Sequence, residues 1–455
     1  MGLAMAAWSE KWFPEPLVFA FLGIIIVFVL GVIAGESPSK LAIEGGKGFW
    51  ALINFTLQMA MIIIGGYVVG STRAARTFIS WLASIPKTPR GAVTLVALVA
   101  TVSSLISWGL SPILSGFLVR ELTGRVKGLD HRAVSTAAYL GTGSVWAMGL
   151  SSSAALLMAT RSSLPPALYN IAGVIPLTQT LFLWQGMLTA AILIVLCVCT
   201  ARFSTPSPDA ARTAESFGIR FDSRQDQDVD AKPTRPGEWL EYSPLLVILV
   251  AAILVSYLIY EFMTSPRGAL AALDLNTYNL IFITAGLLLH WRPRRFLQAV
   301  MDGVPSTGGV LIQFPFYAMI FGMITGTGLS EKLAALFIQV SNHDTFSLLA
   351  AAYSSVLGLF IPSGGSKWIV EAPYVLQAAV AHRVHLGWVV QIYNVAEALP
   401  NLVNPFWMLP LLGIVKLKAR DLIGFSTLQL MINLPVVFFL CWLFGRSMEY
   451  VAPMK

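Results

Sequence analysis

Apolar side chains dominate this chain of 455 residues: 56% are hydrophobic and only 12% are charged, with a mean hydropathy of +0.72. Soluble proteins carry roughly 25% charged residues, so the composition excludes an ordinary soluble domain. The net charge of +7 does not indicate a nucleic-acid partner, because Lys and Arg gather in short loops between apolar runs rather than in a basic groove.

Apolar runs of about 20 residues, long enough to cross a bilayer, recur along almost the whole chain. Residues 17–34 and 242–262 are examples. The runs are continuous rather than alternating, which favours membrane-spanning helices over a barrel. No small-residue cleavage pattern follows residues 17–34, so we interpret them as a retained first helix. The sequence therefore predicts an all-α integral membrane protein.

Loop charge predicts the topology. Residues 71–90 contain four basic residues and no acidic one, which places them in the cytoplasm. Phe78, Trp81 and Leu82 in this loop predict a short amphipathic helix at the interface. Residues 91–119 lie between two positive loops, so we expect a re-entrant hairpin that enters from the cytoplasm and turns at 107–112, where Gly and Pro break the helix.

A second hairpin is predicted for residues 346–381, which are interrupted at 362–366 and enter from outside by the same reasoning. Two further apolar segments are predicted to be broken helices. Their breaks lie at 141–144, with the sequence Gly-Thr-Gly-Ser, and at 397–405, which holds Asn401, Asn404 and a proline.

The two halves repeat one order of helix, helix, hairpin, broken helix and helix, the first starting inside and the second outside. This pattern predicts an inverted structural repeat with two opposed re-entrant hairpins. The polar stretch between the halves, rich in Pro, Asp and Arg, is predicted to be a flexible cytoplasmic linker. The predicted division is a first repeat at 1–201, the linker at 202–241, a connecting transmembrane helix at 242–262 and a second repeat at 263–455.

Broken helices at mid-membrane are costly unless they line a cavity, and their free N–H groups suit a carboxylate. At any single break, Gly and Ser could equally serve close helix packing, but four matched breaks favour a binding site. The candidate substrate-binding residues are Ser107, Trp108, Gly109, Ser111, Thr142, Gly143, Ser144, Ser363, Gly364, Gly365, Ser366, Lys367, Asn401 and Asn404.

Ionisable residues inside membrane spans are functional candidates. Lys367 and Glu371 are four residues apart and could pair on one helix face, either as a structural ion pair or within the site. Lys367 could instead meet an anionic substrate. Glu397 could carry a proton or help to ligate sodium, and Glu371 is a second candidate for the coupling ion. Hydroxyl and amide groups at Ser107, Ser363 and Asn401 are candidate sodium ligands.

The sequence lacks the motifs of zinc proteases, serine hydrolases and phosphate-binding loops, so neither an enzyme nor an organic cofactor is expected. Four functions are compatible with these features. They are a carrier for a monocarboxylate, a carrier of the same fold for another anion such as a dicarboxylate, an anion channel, and a membrane-embedded sensor whose partner binds the linker. A single lysine near the site favours one carboxylate over two.

Several segments resemble the bacterial short-chain fatty acid transporter family (AtoE type). They are residues 12–16 (Trp-Phe-Pro-Glu-Pro), 276–279 (Asn-Thr-Tyr-Asn), 361–368 (Ile-Pro-Ser-Gly-Gly-Ser-Lys-Trp), 372–373 (Ala-Pro), 401–410 (Asn-Leu-Val-Asn-Pro-Phe-Trp-Met-Leu-Pro) and 419–424 (Ala-Arg-Asp-Leu-Ile-Gly).

The resemblance implies uptake of acids such as acetoacetate or butyrate across a bacterial inner membrane, by a multi-pass protein. It also implies kinship with the ion-transporter superfamily, whose carriers have a scaffold and a transport domain, elevator-type movement and often a homodimer. The hairpin tips here lack the Ser-Asn-Thr triplet of related carriers, so proton and sodium coupling are both open.

Overall fold

The computed structural model describes residues 16–221, 235–265, 272–360 and 364–453. In these ranges the fold is all-helical. Six helices are long and apolar enough to cross a membrane, and two shorter apolar helices accompany them. The predicted all-α membrane fold is confirmed.

The first half contains ten α-helices within the described ranges. In chain order they are α1 (Pro16–Ile33), α2 (Pro38–Ala51), α3 (Ile53–Gly70), α4 (Arg73–Ala83), α5 (Pro89–Ile106), α6 (Ser111–Arg125), α7 (His131–Leu140), α8 (Ser153–Ala159), α9 (Pro166–Ala172) and α10 (Trp184–Ser204).

The remaining described residues form eleven more. They are α11 (Pro236–Tyr242), α12 (Pro244–Thr264), α13 (Leu275–His290), α14 (Pro293–Gly303), α15 (Gly308–Gly326), α16 (Leu329–Val340), α17 (His343–Phe360), α18 (Gly364–Ala381), α19 (Leu386–Ala398), α20 (Pro405–Val415) and α21 (Ala419–Ser447).

Both halves place the same elements in the same order. A short helix (α4 or α16) precedes a helical hairpin (α5 and α6, or α17 and α18), then a broken helix, then a long helix (α10 or α21). In α4, Phe78 and Trp81 are exposed while Leu82 is buried, as an interfacial helix requires. The element order agrees with the predicted repeat.

The two breaks have different local geometry. The first is a π-helical turn, Gly141–Val145, followed by a 3-10 turn, Trp146–Met148. The second is a 3-10 turn, Leu399–Val403, which contains Pro400. A π turn interrupts the regular hydrogen-bond ladder and is frequent at functional sites. Both breaks therefore interrupt transmembrane segments where the sequence predicted.

Some boundaries differ from the prediction. The tip of the first hairpin is 107–110, because Ser111 and Pro112 already begin α6. The helix predicted to follow the first broken helix is two helices, α9 and α10, separated by a turn that starts at Gly173 with φ of +64°. Between the predicted spans, α2, α14 and α16 are additional helices, and a proline in the first turn starts α2 and α14.

The first part of the linker is packed rather than flexible. Residues 205–221, here called the strap, run past the start of α7. The Arg212 amide donates to Asp130 Oδ2 at 2.9 Å, and the Arg212 carbonyl accepts from the His131 amide at 2.8 Å. The Phe221 ring lies under Arg120 and Lys416, 5.2 and 5.5 Å from its centroid. The strap thus joins both halves, whereas residues 222–234 lie outside the described ranges.

Asp130→Asn should lower the free energy of unfolding by about 1–3 kcal/mol, the cost of weakening hydrogen bonds to a buried charged group. Burial alone would raise the pKa of Asp130, but hydrogen bonds from Arg132, Arg212 and Ala133 hold it below its usual value. Because the folded pKa is the lower one, this stabilisation is present above about pH 4 and is lost as pH falls through the folded pKa.

Thermal unfolding in detergent between pH 7 and pH 3 tests this prediction. The variant should melt below wild type at pH 7, and the gap should close in acid. Asp209→Asn is the matched control, because Asp209 lies exposed in the same strap. Equal losses in the two variants would contradict the role given to Asp130.

Candidate functional site

The hairpin tips and the breaks meet around Trp146. Its ring centroid lies 6.1 Å from that of Trp108, at the first hairpin tip, and 6.3 Å from that of Trp407 in α20. Trp108 and Trp407 are 5.6 Å apart in an edge-to-face arrangement. We call these three residues the tryptophan cluster. On its other side Trp146 contacts Gly364, the first residue of α18, so closely that a methyl group there would overlap the indole.

Glu397 lies beside the same contact. It is fully buried on α19, directly before the second break. A methyl group on Gly364 would lie 3.5 Å from its Oε2 atom. The carboxyl group therefore faces the start of α18 and the Trp146 ring.

On the first hairpin tip, the two breaks and the end of α19, several buried polar atoms have no hydrogen-bond partner among the described residues. They are Trp108 Nε1, Trp146 Nε1, Thr142 Oγ1, both amide atoms of Asn401 and both carboxyl oxygens of Glu397. Buried polar groups are normally paired, and inside a membrane each unpaired group costs several kcal/mol. Such a set of donors and acceptors is suited to a polar ligand that completes it.

Lys367 and Glu371 form the ion pair that their spacing predicted. Lys367 Nζ lies 3.6 Å from Glu371 Oε2 and donates to the Ser354 carbonyl at 2.7 Å and to Ser354 Oγ at 3.1 Å. The ammonium also lies 4.6 Å from the centre of the Tyr393 ring. Lys367 is thus held inside the second hairpin, and its contact with a substrate stays a prediction.

The remaining predicted residues of the first hairpin pack against helices. Gly109 touches Ile62 and Ile63 of α3. The Ser111 hydroxyl donates to the Ala100 carbonyl at 2.8 Å, and the Ser107 hydroxyl accepts from the Leu110 amide at 3.4 Å. These groups shape the tip, and no contact joins Ser107 to Asn401 among the described hydrogen bonds.

Other predicted residues divide between the centre and its surroundings. Gly143 packs closely on Leu402 of the second break. The Ser144 hydroxyl donates to the Leu140 carbonyl and faces Cys197 of α10, away from the tryptophan cluster. Gly365 faces Phe55 and Phe314. Ser366 is buried in α18, and Asn404 is buried directly before α20. Ser363 lies outside the described residues, so the sodium ligands proposed from the sequence stay a prediction.

Four residues that sequence reasoning did not select complete the centre: Trp146, Trp407, Tyr139 and Tyr393. The Tyr139 hydroxyl donates to the Asn401 carbonyl at 2.6 Å, and the Tyr393 hydroxyl donates to the Gly364 carbonyl. Tyr139 thereby ties α7 to the second break, and Tyr393 ties α19 to the start of α18. The sequence contained two signals for these residues. Tyr139 and Tyr393 occupy matched places in the two halves, and Trp146 directly follows a glycine-rich break.

Gly141→Ala should lower the free energy of unfolding by about 1–3 kcal/mol, the usual cost of overpacking. The added methyl group would overlap the Ala100 carbonyl and come within 2.7 Å of Ser111 Oγ. Gly413→Ala in α20 is the control, since nothing lies within 4 Å of the added carbon, and it should be neutral or stabilise by up to about 1 kcal/mol. Detergent unfolding midpoints compare them. Identical midpoints in the two variants would show that packing against α5 does not require a glycine at position 141.

The sequence matches the family model of short chain fatty acid transporters over residues 1–444. A protein of Escherichia coli (strain K12), named as a candidate short-chain fatty acid transporter, is 33% identical over 94% of this chain and 96% of its own. A protein of the same name from Haemophilus influenzae is 32% identical, and the match covers 95% of this chain and 96% of that protein. The chain belongs to the short-chain fatty acid transporter family. It is a transporter rather than an enzyme, and a multi-pass protein of a bacterial membrane.

Two solved structures of transporters share the fold of this family member. YdaH of Alcanivorax borkumensis, described as having an unusual topology, aligns with a TM-score of 0.61 at 16% identity over 97% of this chain and 100% of its own. MtrF of Neisseria gonorrhoeae, described in a class of antimetabolite efflux pumps, aligns with a TM-score of 0.62 at 12% identity over 100% and 99%. At these identities the likeness concerns the fold alone.

Proposed function

We propose that this protein is a secondary carrier that takes up short-chain monocarboxylates, such as butyrate or acetoacetate, across the bacterial inner membrane. The observation that carries the proposal is the set of unpartnered polar atoms beside the tryptophan cluster. The indole N–H groups of Trp108 and Trp146 and the Thr142 hydroxyl can donate to a carboxylate, while the aromatic rings can cover a short acyl chain. Family membership supports the substrate class.

The buried charges favour coupling to a cation. Within the membrane-spanning part of the described chain, the buried set comprises one ammonium, Lys367, and two carboxyl groups, Glu371 and Glu397. Lys367 is already paired with Glu371. An entering carboxylate would meet a second negative charge at Glu397, which is costly in a low-dielectric site. Binding of a proton or of a sodium ion at Glu397 removes this repulsion, so the acid and the cation would enter together.

Elevator-type movement is the mechanism we propose for alternating access. The hairpin tips meet α3 and α15 through small or aromatic surfaces: Gly109 lies against Gly66, and Gly365 lies against Phe55 and Phe314. Such surfaces can slide without breaking ion pairs. In this proposal α3, α13 and α15 belong to the scaffold, the hairpins and broken helices move, and a homodimer would hold the scaffolds in place.

Uptake of labelled butyrate into proteoliposomes tests the proposal, with unlabelled butyrate and succinate as competitors. We expect uptake that depends on a proton or sodium gradient, saturates at low turnover and is blocked by butyrate but not by succinate. Block by succinate alone would favour a dicarboxylate carrier. Flux that does not saturate would favour an anion channel. No butyrate uptake under either gradient would refute the proposal.

A further inference from the structure

A cavity lies between α3, α12, α13 and α14, and none of the tryptophan-cluster residues lines it. It has a volume of about 670 Å³, and its lining includes Leu57, Ile64, Leu280, Ile283, Phe296 and Val300. The lining residues of α3 lie in a helix long and apolar enough to cross a membrane, and those of α13 lie in a shorter apolar helix. We therefore place the groove on the bilayer-embedded surface of the protein. α12 borders the groove and is itself apolar and mostly exposed, with 11% of its span buried.

One end of the groove is polar. Gln58 of α3 donates to the Asn276 side chain, and the Asn279 side-chain amide donates to the Gln58 carbonyl at 2.9 Å. Asn279 is only 8% exposed. Asn279 lines the groove, and its buried Oδ1 atom has no hydrogen-bond partner among the described residues. An occupant that donates a hydrogen bond at this end would satisfy it.

We propose that this groove binds one phospholipid with an ammonium headgroup, a phosphatidylethanolamine, as a tightly held lipid. The apolar wall fits an acyl chain, and the open acceptor at Asn279 fits an N–H donor. The residues that line the groove include no lysine or arginine, so nothing there compensates an anionic headgroup. The proposal does not depend on the transported substrate, because the groove is separate from the tryptophan cluster.

Native mass spectrometry of the purified protein, delipidated and then mixed with phosphatidylethanolamine or phosphatidylglycerol, tests this inference. Wild type should retain one phosphatidylethanolamine in preference to phosphatidylglycerol. Ile283→Trp fills the groove and should lose this lipid. Ile253→Trp is the control, because Ile253 lies on α12 and is 69% exposed outside the groove; it should bind lipid as wild type does.

Asn279→Leu keeps the volume but removes both the acceptor and the hydrogen bond to the Gln58 carbonyl. It should abolish the preference for phosphatidylethanolamine even if Ile283→Trp fails to fold. Equal binding of the two lipids by wild type would overturn the inference. So would a preference that survives in Asn279→Leu. Loss of a dimer in Ile283→Trp on size-exclusion chromatography would assign the groove to a second copy of the chain, and butyrate displacing the lipid would assign it to the substrate.

Discussion

Glu397→Gln should abolish gradient-driven accumulation of butyrate in proteoliposomes, with initial rates reduced about tenfold, a change of roughly 1.4 kcal/mol in barrier height. The carboxyl group is fully buried, and neither oxygen has a hydrogen-bond partner among the described residues. Glutamine keeps the shape but can neither take up a proton nor supply a charge to a sodium ion. Exchange of internal for external butyrate needs no net cation movement, so it should survive.

The control for this variant is Glu121→Gln, which alters an exposed carboxylate that pairs with Arg125 at 3.0 Å. It should keep wild-type uptake. Rates measured from pH 5 to pH 8, with and without sodium, identify the coupling ion: a pH profile that flattens in Glu397→Gln indicates a proton, and lost sodium dependence indicates sodium. A variant that accumulates butyrate with both dependences unchanged would remove Glu397 from the coupling mechanism.

Lys367→Met should lower the free energy of unfolding by about 3–5 kcal/mol, because it leaves Glu371 as an uncompensated buried charge. Among the described residues Lys367 is the cation paired with Glu371, at 3.6 Å, and both side chains are almost completely buried. Unfolding midpoints in detergent mixed with dodecyl sulfate measure the loss. The variant should also lose uptake, since α18 loses the two hydrogen bonds from Lys367 to Ser354 of α17.

The double variant Lys367→Met with Glu371→Met distinguishes the energy of the ion pair from the cost of leaving one charge unpaired. Two apolar residues remove the unpaired carboxylate, so the double variant should be more stable than Lys367→Met alone. Lys332→Met is the exposed control: its partner Glu36 lies 3.0 Å away at the surface, and the cost should be below about 1 kcal/mol. A double variant as unstable as the sum of its single variants would show that the pair is not energetically coupled.

The sequence predicted the hairpins and breaks well because their causes are local. Gly and Pro interrupt helices wherever they occur, and loop charge shows which apolar segments cannot be simple crossings. The spacing of Lys367 and Glu371 likewise predicted their ion pair, since residues four apart share a helix face. The exact tip at 107–110 was missed because Pro112 acts as a helix starter in α6 rather than as a breaker.

Long-range contacts were the features that local patterns could not reveal. Trp146 and Trp407 look like ordinary apolar residues in apolar segments, and only the fold brings them to Trp108. The strap is polar and rich in proline, a composition typical of flexible linkers. Its order depends on Asp130 and on the cations around Phe221, which are distant in sequence. The roles of the candidate site residues therefore remain predictions, although the fold is confirmed.

A structure with bound 4-bromobutyrate locates the carboxylate site through the anomalous signal of bromine. If the carboxylate binds beside the tryptophan cluster, bromine will lie among the rings of Trp108, Trp146 and Trp407, with the carboxylate within hydrogen-bonding distance of the two unpartnered indole N–H groups. Bromine beside Lys367 inside the second hairpin, or in the groove at Asn279, would refute this binding site.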